Sequence, residues 1–279
     1  MKKKILVTSI LLFSLFCSTS LTAAEREELI FIVHPYKNSK QLQHMFKPII
    51  TSLEKELGYT IKFRTGTTYD QVIDLYKQGK ADFGYLGPAG YVKAAEKVGV
   101  KPLVRIISNG SGTFQGVIVV KKDSPINSIE DLFGRSFAFG DYSSTLSHFV
   151  PHYMLLQKNI SLDKLSKYSF TGKHQNVAEG VLLGIFDAGG LKPDVAKRYI
   201  NKGLRILATS QPISEHLFVT NKRLDKSLQK KIKKALLKVD VSVLKSIKNN
   251  ITGLENVNDS DYNNLRKIIS LVNKQKFYR

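Results

Sequence analysis

The sequence predicts an α/β protein with mainly parallel sheets, and three observations lead there. Short apolar segments with strand-like alternation take turns with amphipathic segments of helical period along most of the chain. Glycine-rich turns follow several strands and lead straight into helices. The order helix, strand, glycine turn, helix occurs twice, around 79–91 and around 183–195. No low-complexity segment and no short solenoid-type repeat is present.

The first 24 residues stand apart. Lys2-Lys3-Lys4 precedes the apolar run ILVTSILLFSLF, which is too short for a lasting membrane span, and SLTAAE follows with small residues. This is the pattern of a secretory signal, with cleavage expected after Ala24. Lipidation at Cys17 is the competing outcome, disfavoured by the bulky Phe16 before it. Cleavage removes the only cysteine, so the mature chain would be held by burial rather than by disulfides.

From there the elements follow in order. ELIFIVHP reads as a strand ended by Pro35, FKPIITSLEKELG as an amphipathic helix stopped by Gly58, and YTIKFRTG as an alternating strand. The segment 68–99 reads as helix, short buried strand, glycine-rich turn and helix, and VKPLVRIIS and FQGVIVVKK as strands. SIEDLFG suits a helix capped by Ser128, with Glu130 and Asp131 in its first turn. FAFGDYSSTLSHFVPHYMLLQ passes from a strand into a long helix. The segment 174–200 repeats the earlier order, LRILATSQ and HLFVTN are strands, and the end reads as helical. In that last part Leu228, Ile232, Leu236 and Val239 form one apolar face among lysines.

Charge narrows the function classes. The chain carries 43 basic and 23 acidic residues, a formal +20, which suits nucleic acid, an anionic membrane surface or small anions. The lysines are scattered and no nucleic-acid module is recognisable, so a solvated basic surface is expected. No G-x-S-x-G elbow, H-E-x-x-H or P-loop lysine motif occurs, and an enzyme is not expected. His148 and His152 have the spacing of two metal ligands on one helix face, but no carboxylate or cysteine completes a set. Capping or surface positions are expected for them, and neither metal nor cofactor.

The stretch with most chemistry is Ser143-Ser144-Thr145, where strand gives way to helix. Hydroxyls there can cap the helix. The same free N–H groups, at the positive end of the helix dipole, can instead hold an anion. The glycine turns at Gly87 and Gly189–Gly190 lie where open α/β sheets bind ligands, at the carboxyl ends of strands.

GYLGPAGYVKAA, VKKDSPINSIEDLFGRSFAFGDYSSTLSHFVP, GKHQNVAEGVLLGIFDAGG and TSQPI together resemble the phosphonate/phosphite/phosphate substrate-binding proteins of ABC transporters. The most specific part runs from Val120 to Pro151, where that family reads D-S-x-I…DL-x-G-x-x-F-x-F-G-D-x-x-S-T. The resemblance implies a two-lobed type II periplasmic binding-protein fold, each lobe a mainly parallel sheet flanked by helices. Two hinge crossovers fall near Gly116–Val119 and Pro212–Phe218. It divides the chain into a signal peptide at 1–24, a first lobe of 25–117 with 213–279, and a second lobe of 118–212.

The site residues follow from the same resemblance. Ser144 and Thr145 become the main anion contacts, through hydroxyls and N–H groups reaching Ser147. Tyr69 corresponds to the family's early tyrosine, and Gly87 and Pro88 shape a turn that offers backbone N–H groups. His174 matches the family's histidine, able to donate when neutral or charged, with binding strengthened as pH falls. Lys192 could bring a full charge, and Asp194 is nearest to the acidic groups that in relatives meet a ligand ammonium. The plain alternatives are a packed tyrosine, a structural turn, and solvated histidine, lysine and aspartate. Tyr142, Leu146 and Ser147 depart from the usual D-P-x-S-T-S-G, Leu86 replaces a common aromatic, and TSQPISEH lacks the usual Pro-Gly. The resulting expectation is a secreted monomer that hands a small oxyanion of phosphonate, phosphite or phosphate type to an ABC permease. A ligand-sensing role for a receptor or kinase, or another anion such as a sulfonate, is the alternative.

Overall fold

The computed structural model describes residues 28–275, so the expected signal segment and Cys17 lie outside the described residues. The chain begins with β1 (Glu28–Val33), α1 (Ser39–Leu57), β2 (Thr60–Thr65), α2 (Tyr69–Lys77), β3 (Phe83–Leu86), α3 (Pro88–Val98) and β4 (Lys101–Ser108). Local chemistry sets these limits. Asn38 caps α1 by accepting from Gln41 N–H, and Gly58 ends it at φ 74°, a left-handed conformation in which a Cβ is strained. The buried face of α1, Leu42, Phe46, Ile49, Ile50 and Leu53, has the spacing of one helix side.

The middle of the chain forms β5 (Thr113–Phe114), β6 (Val117–Lys121), β7 (Ser136–Phe139), a π-helical turn at Thr145–Phe149 and α4 (Val150–Leu156). It continues with β8 (Lys167–Phe170), α5 (His174–Leu182), β9 (Ala188–Leu191), α6 (Pro193–Ile200) and β10 (Leu204–Thr209). The last part holds β11 (Ile213–Ser214), β12 (Leu217–Thr220), α7 (Lys226–Leu237), α8 (Val241–Leu244), β13 (Ile251–Asn256) and α9 (Asn263–Asn273). Among the described residues no helix is long and apolar enough to cross a membrane.

Two large sheets result, one ordered β13-β4-β12-β3-β1-β2 and the other β10-β6-β9-β7-β8. Parallel pairing is confined to β2-β1-β3 and β8-β7-β9, where helices make the connections. The remaining strands of both sheets run antiparallel. Among them, β4, β6, β10 and β12 flank the two stretches that pass between the sheets, and a strand arriving without a helical crossover is free to pair antiparallel. Those stretches, 109–116 and 210–216, pair as the ribbon β5–β11, with Phe114 opposite Ile213. Ser210 locks the ribbon's base: its hydroxyl accepts from Gly116 N–H and its own N–H donates to Gly116 O, each at 2.9 Å.

Each sheet buries an aromatic or aliphatic layer. Phe31 packs against Phe46 and Phe83, with ring centroids 5.6 and 5.0 Å apart. Burial of each ring contributes roughly 1.5–3 kcal/mol. A second cluster joins the two sheets, running from Ile32, Tyr76 and Tyr91 to Ile118, Phe137 and Phe139, with Leu265 and Ile268 of α9 within it.

Two local readings need correction. SIEDLFG forms only a 3-10 turn at Glu130–Leu132 without a Ser128 side-chain cap, because the Asp131 carboxylate instead accepts from Asn127 N–H and Ser128 N–H. The C-terminal part is not purely helical, since β13 pairs with β4. Only Ile251 of that strand is fully buried, so its sequence shows little alternation. Its hold is tertiary, through backbone pairing and the Arg105–Glu255 ion pair at 2.6 Å.

Candidate functional site

The Ser144 corner begins where β7 ends. Gly140 is required there, since a Cβ would lie 2.1 Å from Ser147 Oγ. Asp141 then turns the chain, its carboxylate accepting from Ser143 N–H at 2.7 Å and its carbonyl from Ser144 N–H at 3.0 Å. Ser144 is the N-cap, its hydroxyl accepting from Ser147 N–H at 3.3 Å. Capping therefore does occur, and it uses the Ser147 N–H. The N–H groups of Thr145 and Leu146 still have no acceptor within the helix. The Ser147 hydroxyl is fully buried without a partner.

Thr145 links the two sheets. Its buried hydroxyl accepts from Ala89 N–H at 3.0 Å. Ala89 belongs to the first turn of α3, behind the N-cap Gly87 and Pro88. A helix start from each unit thus points at the other. Each carries about half a positive charge, so an anion between them relieves their mutual repulsion.

Tyr69, capped in place by Thr68 at the start of α2, forms one side. Its ring lies 5.4 Å from His34, and a Cβ on Gly90 would sit 3.7 Å from it. Burial, the Asp141 carboxylate and Tyr36 all push its phenol above the ordinary range, so it keeps its proton and can donate.

The opposite side comes from two further helix starts. His174 opens α5 and its Nδ1 accepts from Lys192 N–H at 3.2 Å, while Lys192 is the N-cap of α6. Nδ1 therefore carries no hydrogen and Nε2 is the donor. Burial, then Lys192 and His216, lower the ring's pKa to about 3. The expected strengthening through His174 protonation is thereby corrected: this ring donates as a neutral imidazole. Lys192 is lowered by burial first and by Lys248, Lys37 and Arg198, against the opposing effect of Asp194. Asp194 faces Lys248 of the other unit at 3.5 Å, so its carboxylate is engaged there.

A hollow of about 470 Å³ lies elsewhere, between Tyr59, Asp82, Asn221 and Arg223. Its helix start is already satisfied, because the Asp225 carboxylate accepts from Ser227 N–H and Leu228 N–H.

The family model described as "ABC transporter, phosphonate, periplasmic substrate-binding protein" matches residues 31–262. The chain belongs to this family. It is 26% identical over 283 residues to the phosphate-import protein PhnD of Mycolicibacterium smegmatis, covering 90% of this chain and 87% of that one. The probable phosphite binding protein PhnD1 of Prochlorococcus marinus is 28% identical over 201 residues, covering 69% and 67%. The solved structure of PhnD1 from Prochlorococcus marinus in complex with methylphosphonate superposes with TM-score 0.78 at 21% identity, covering 90% of this chain and all of that one. The fold is that of the type II periplasmic binding proteins, and its family role is substrate binding for an ABC importer.

Within this member of the phosphonate-binding family, His148 and His152 are neither caps nor surface groups. Both are fully buried, with His148 Nδ1 2.6 Å from Tyr142 O and His152 Nδ1 3.4 Å from His148 Nε2. Burial lowers them to about 4 and about 3, His148 adding to the effect on His152. No group of three or more metal-ligating side chains occurs among the described residues.

Three residues beside Gly87 escaped the sequence reading: His34, Glu215 and His216. A Cβ on Gly87 would sit 3.5 Å from Nε2 of each histidine. His34 Nδ1 donates to Tyr85 O at 3.2 Å, and His216 Nδ1 lies 2.7 Å from the buried Glu215 carboxylate. Burial works against ionisation of Glu215, but the His216 hydrogen bond with the His216 and Lys248 charges holds its pKa below the ordinary value. The available signal was a histidine closing an apolar strand, since strand ends carry ligand sites in such sheets.

Proposed function

We propose that the protein captures a small oxyanion of phosphonate, phosphite or phosphate type between two lobes, 25–117 with 213–279 and 118–212, and delivers it to an ABC permease. The observation that supports this most is the meeting of α3 and the Thr145–Phe149 turn, start to start, at Ala89 N–H and the Thr145 hydroxyl. Ser144, Thr145 and Ser147 offer hydroxyls from one lobe, together with the N–H groups of Thr145 and Leu146. Tyr69 and the Gly87-Pro88 turn offer a phenol and backbone donors from the other. His174 and Lys192 add a neutral donor and a positive charge. Asp194 acts as half of the cross-lobe ion pair with Lys248 rather than as a receptor for a ligand ammonium.

Uncharged donors hold a phosphoryl group yet let it go at the membrane. Ligand contacts to both lobes favour the closed state by their differential affinity, and the hinge is the β5–β11 ribbon. The chain works as an exported monomer, cleaved after Ala24, and releases its ligand chemically unchanged. Titration calorimetry with methylphosphonate and inorganic phosphate tests the site. Ser144→Ala combined with Thr145→Ala should weaken binding at least tenfold, about 1.4 kcal/mol. Unchanged affinity removes the helix start from the site.

A further inference from the structure

His34 and His216 form a pair that the contacts above leave unused. The rings stack with centroids 5.8 Å apart at 27°. Each has its Nδ1 hydrogen committed: a carbonyl only accepts, so His34 Nδ1 must donate to Tyr85 O, and His216 Nδ1 donates to the Glu215 carboxylate. The hydrogen bond on one ring nitrogen fixes the role of the other. Burial keeps the His34 ring neutral, so its Nε2 presents a bare lone pair, 3.5 Å from where a Cβ on Gly87 would sit, with His216 Nε2 at the same distance from that point.

We infer that His34 is a specificity-determining acceptor that selects an oxyanion still carrying one proton, a P–OH group donating to its Nε2. This rests on the oxyanion reading and deepens it. A sulfonate, or a phosphoryl dianion, has only lone pairs to set against the His34 nitrogen. A singly protonated phosphonate or phosphate supplies the hydrogen that nitrogen lacks, and phosphoryl groups keep that proton up to near-neutral pH, with a second pKa of about 6 in phosphate esters. No bond is made or broken beyond the hydrogen bond itself.

The surroundings keep His34 an acceptor. Burial, then His216, lower its pKa to about 3, against a small opposing effect of its bond to Tyr85. The groups facing it are the phenols of Tyr36, Tyr69 and Tyr85, all pushed up by burial and so protonated throughout. Behind His216 stand the ionised Glu215 and, from the other lobe, the neutral His174.

Titration calorimetry of the purified protein with methylphosphonate and with methanesulfonate, at about pH 6 and about pH 8.5, tests the inference. Methylphosphonate should bind at least tenfold more tightly at the lower pH, and at least tenfold more tightly than methanesulfonate there. In His34→Gln, whose amide donates as well as accepts, the preference between the two ligands should shrink to about threefold or less and the pH slope should flatten. If that variant does not fold, His34→Asn carries the same comparison, and the two-ligand result on the unaltered protein stands by itself. Equal affinity for both ligands overturns the inference. So does a decline with pH shared by methanesulfonate, which would place the proton on an imidazole. Binding of neither ligand at either pH overturns the oxyanion reading itself.

Discussion

Two histidine pairs in this molecule have nearly the same internal geometry and opposite surroundings. His148 and His152 lie with ring centroids 5.6 Å apart at 33°, and His34 and His216 at 5.8 Å and 27°. In each pair one Nδ1 meets a backbone carbonyl, Tyr142 O or Tyr85 O. The first pair lies on consecutive turns of one helical segment and packs against Phe139, with Phe170 also against His148. The second is drawn from the residue after β1 and the residue before β12, far apart in the chain, and borders a glycine turn at a helix start. Spacing in sequence makes neighbours, and access to a ligand depends on what the fold places in front of them.

Acid should expose what the pairs share. His34, His148, His152 and His174 titrate at about 3 to about 4 in the folded protein. An unfolded histidine takes up its proton near 6.5. Between those values the unfolded chain binds more protons, so stability is full above about pH 6.5 and falls as pH drops through the window. Urea unfolding at pH 7 and pH 5 should differ by about 2 kcal/mol per ring. A flat profile would mean the rings are solvated, and both pairs would lose their common description.

Phe139→Ala should separate the pairs. Its ring lies 5.6 and 5.5 Å from His148 and His152 and 4.7 Å from Phe137, and its removal leaves a cavity. A loss of about 3–5 kcal/mol in urea unfolding is expected. A loss below about 1 kcal/mol would show that the first pair is not held in a packed core.

Gly87→Ala is the smaller, opposite case. Its φ of −73° suits any residue, and the added methyl would lie 3.5 Å from both Nε2 atoms, in ordinary contact. The fold should tolerate it within about 1 kcal/mol, while calorimetry with methylphosphonate should show binding about tenfold weaker. Unchanged affinity would detach the second pair from the ligand space.

The site was partly legible beforehand because each residue named from the sequence has a local reason for its place. Tyr69, Pro88, Thr145 and His174 open helical segments, and Gly87, Ser144 and Lys192 cap them, which turn and capping chemistry make readable. His34, Glu215 and His216 have no such mark. They meet only because β12 pairs with β3, and β3 with β1, bringing together residues about 180 positions apart. For the same reason β13, held by its partner strand, went unseen while the strongly periodic α1 and α7 did not.

By itself, the amino-acid order determined the alternation of strands and helices, the helix starts at which donors gather, and the family. Those depend on contacts a few residues long, where periodicity and capping act. Only the tertiary structure decided which histidines are core and which border the Gly87 turn, which nitrogen of His34 and His216 meets a backbone or carboxylate oxygen, and that Asp194 pairs with Lys248. Burial and hydrogen-bond partners set those outcomes, and both are supplied by parts of the chain far apart in sequence.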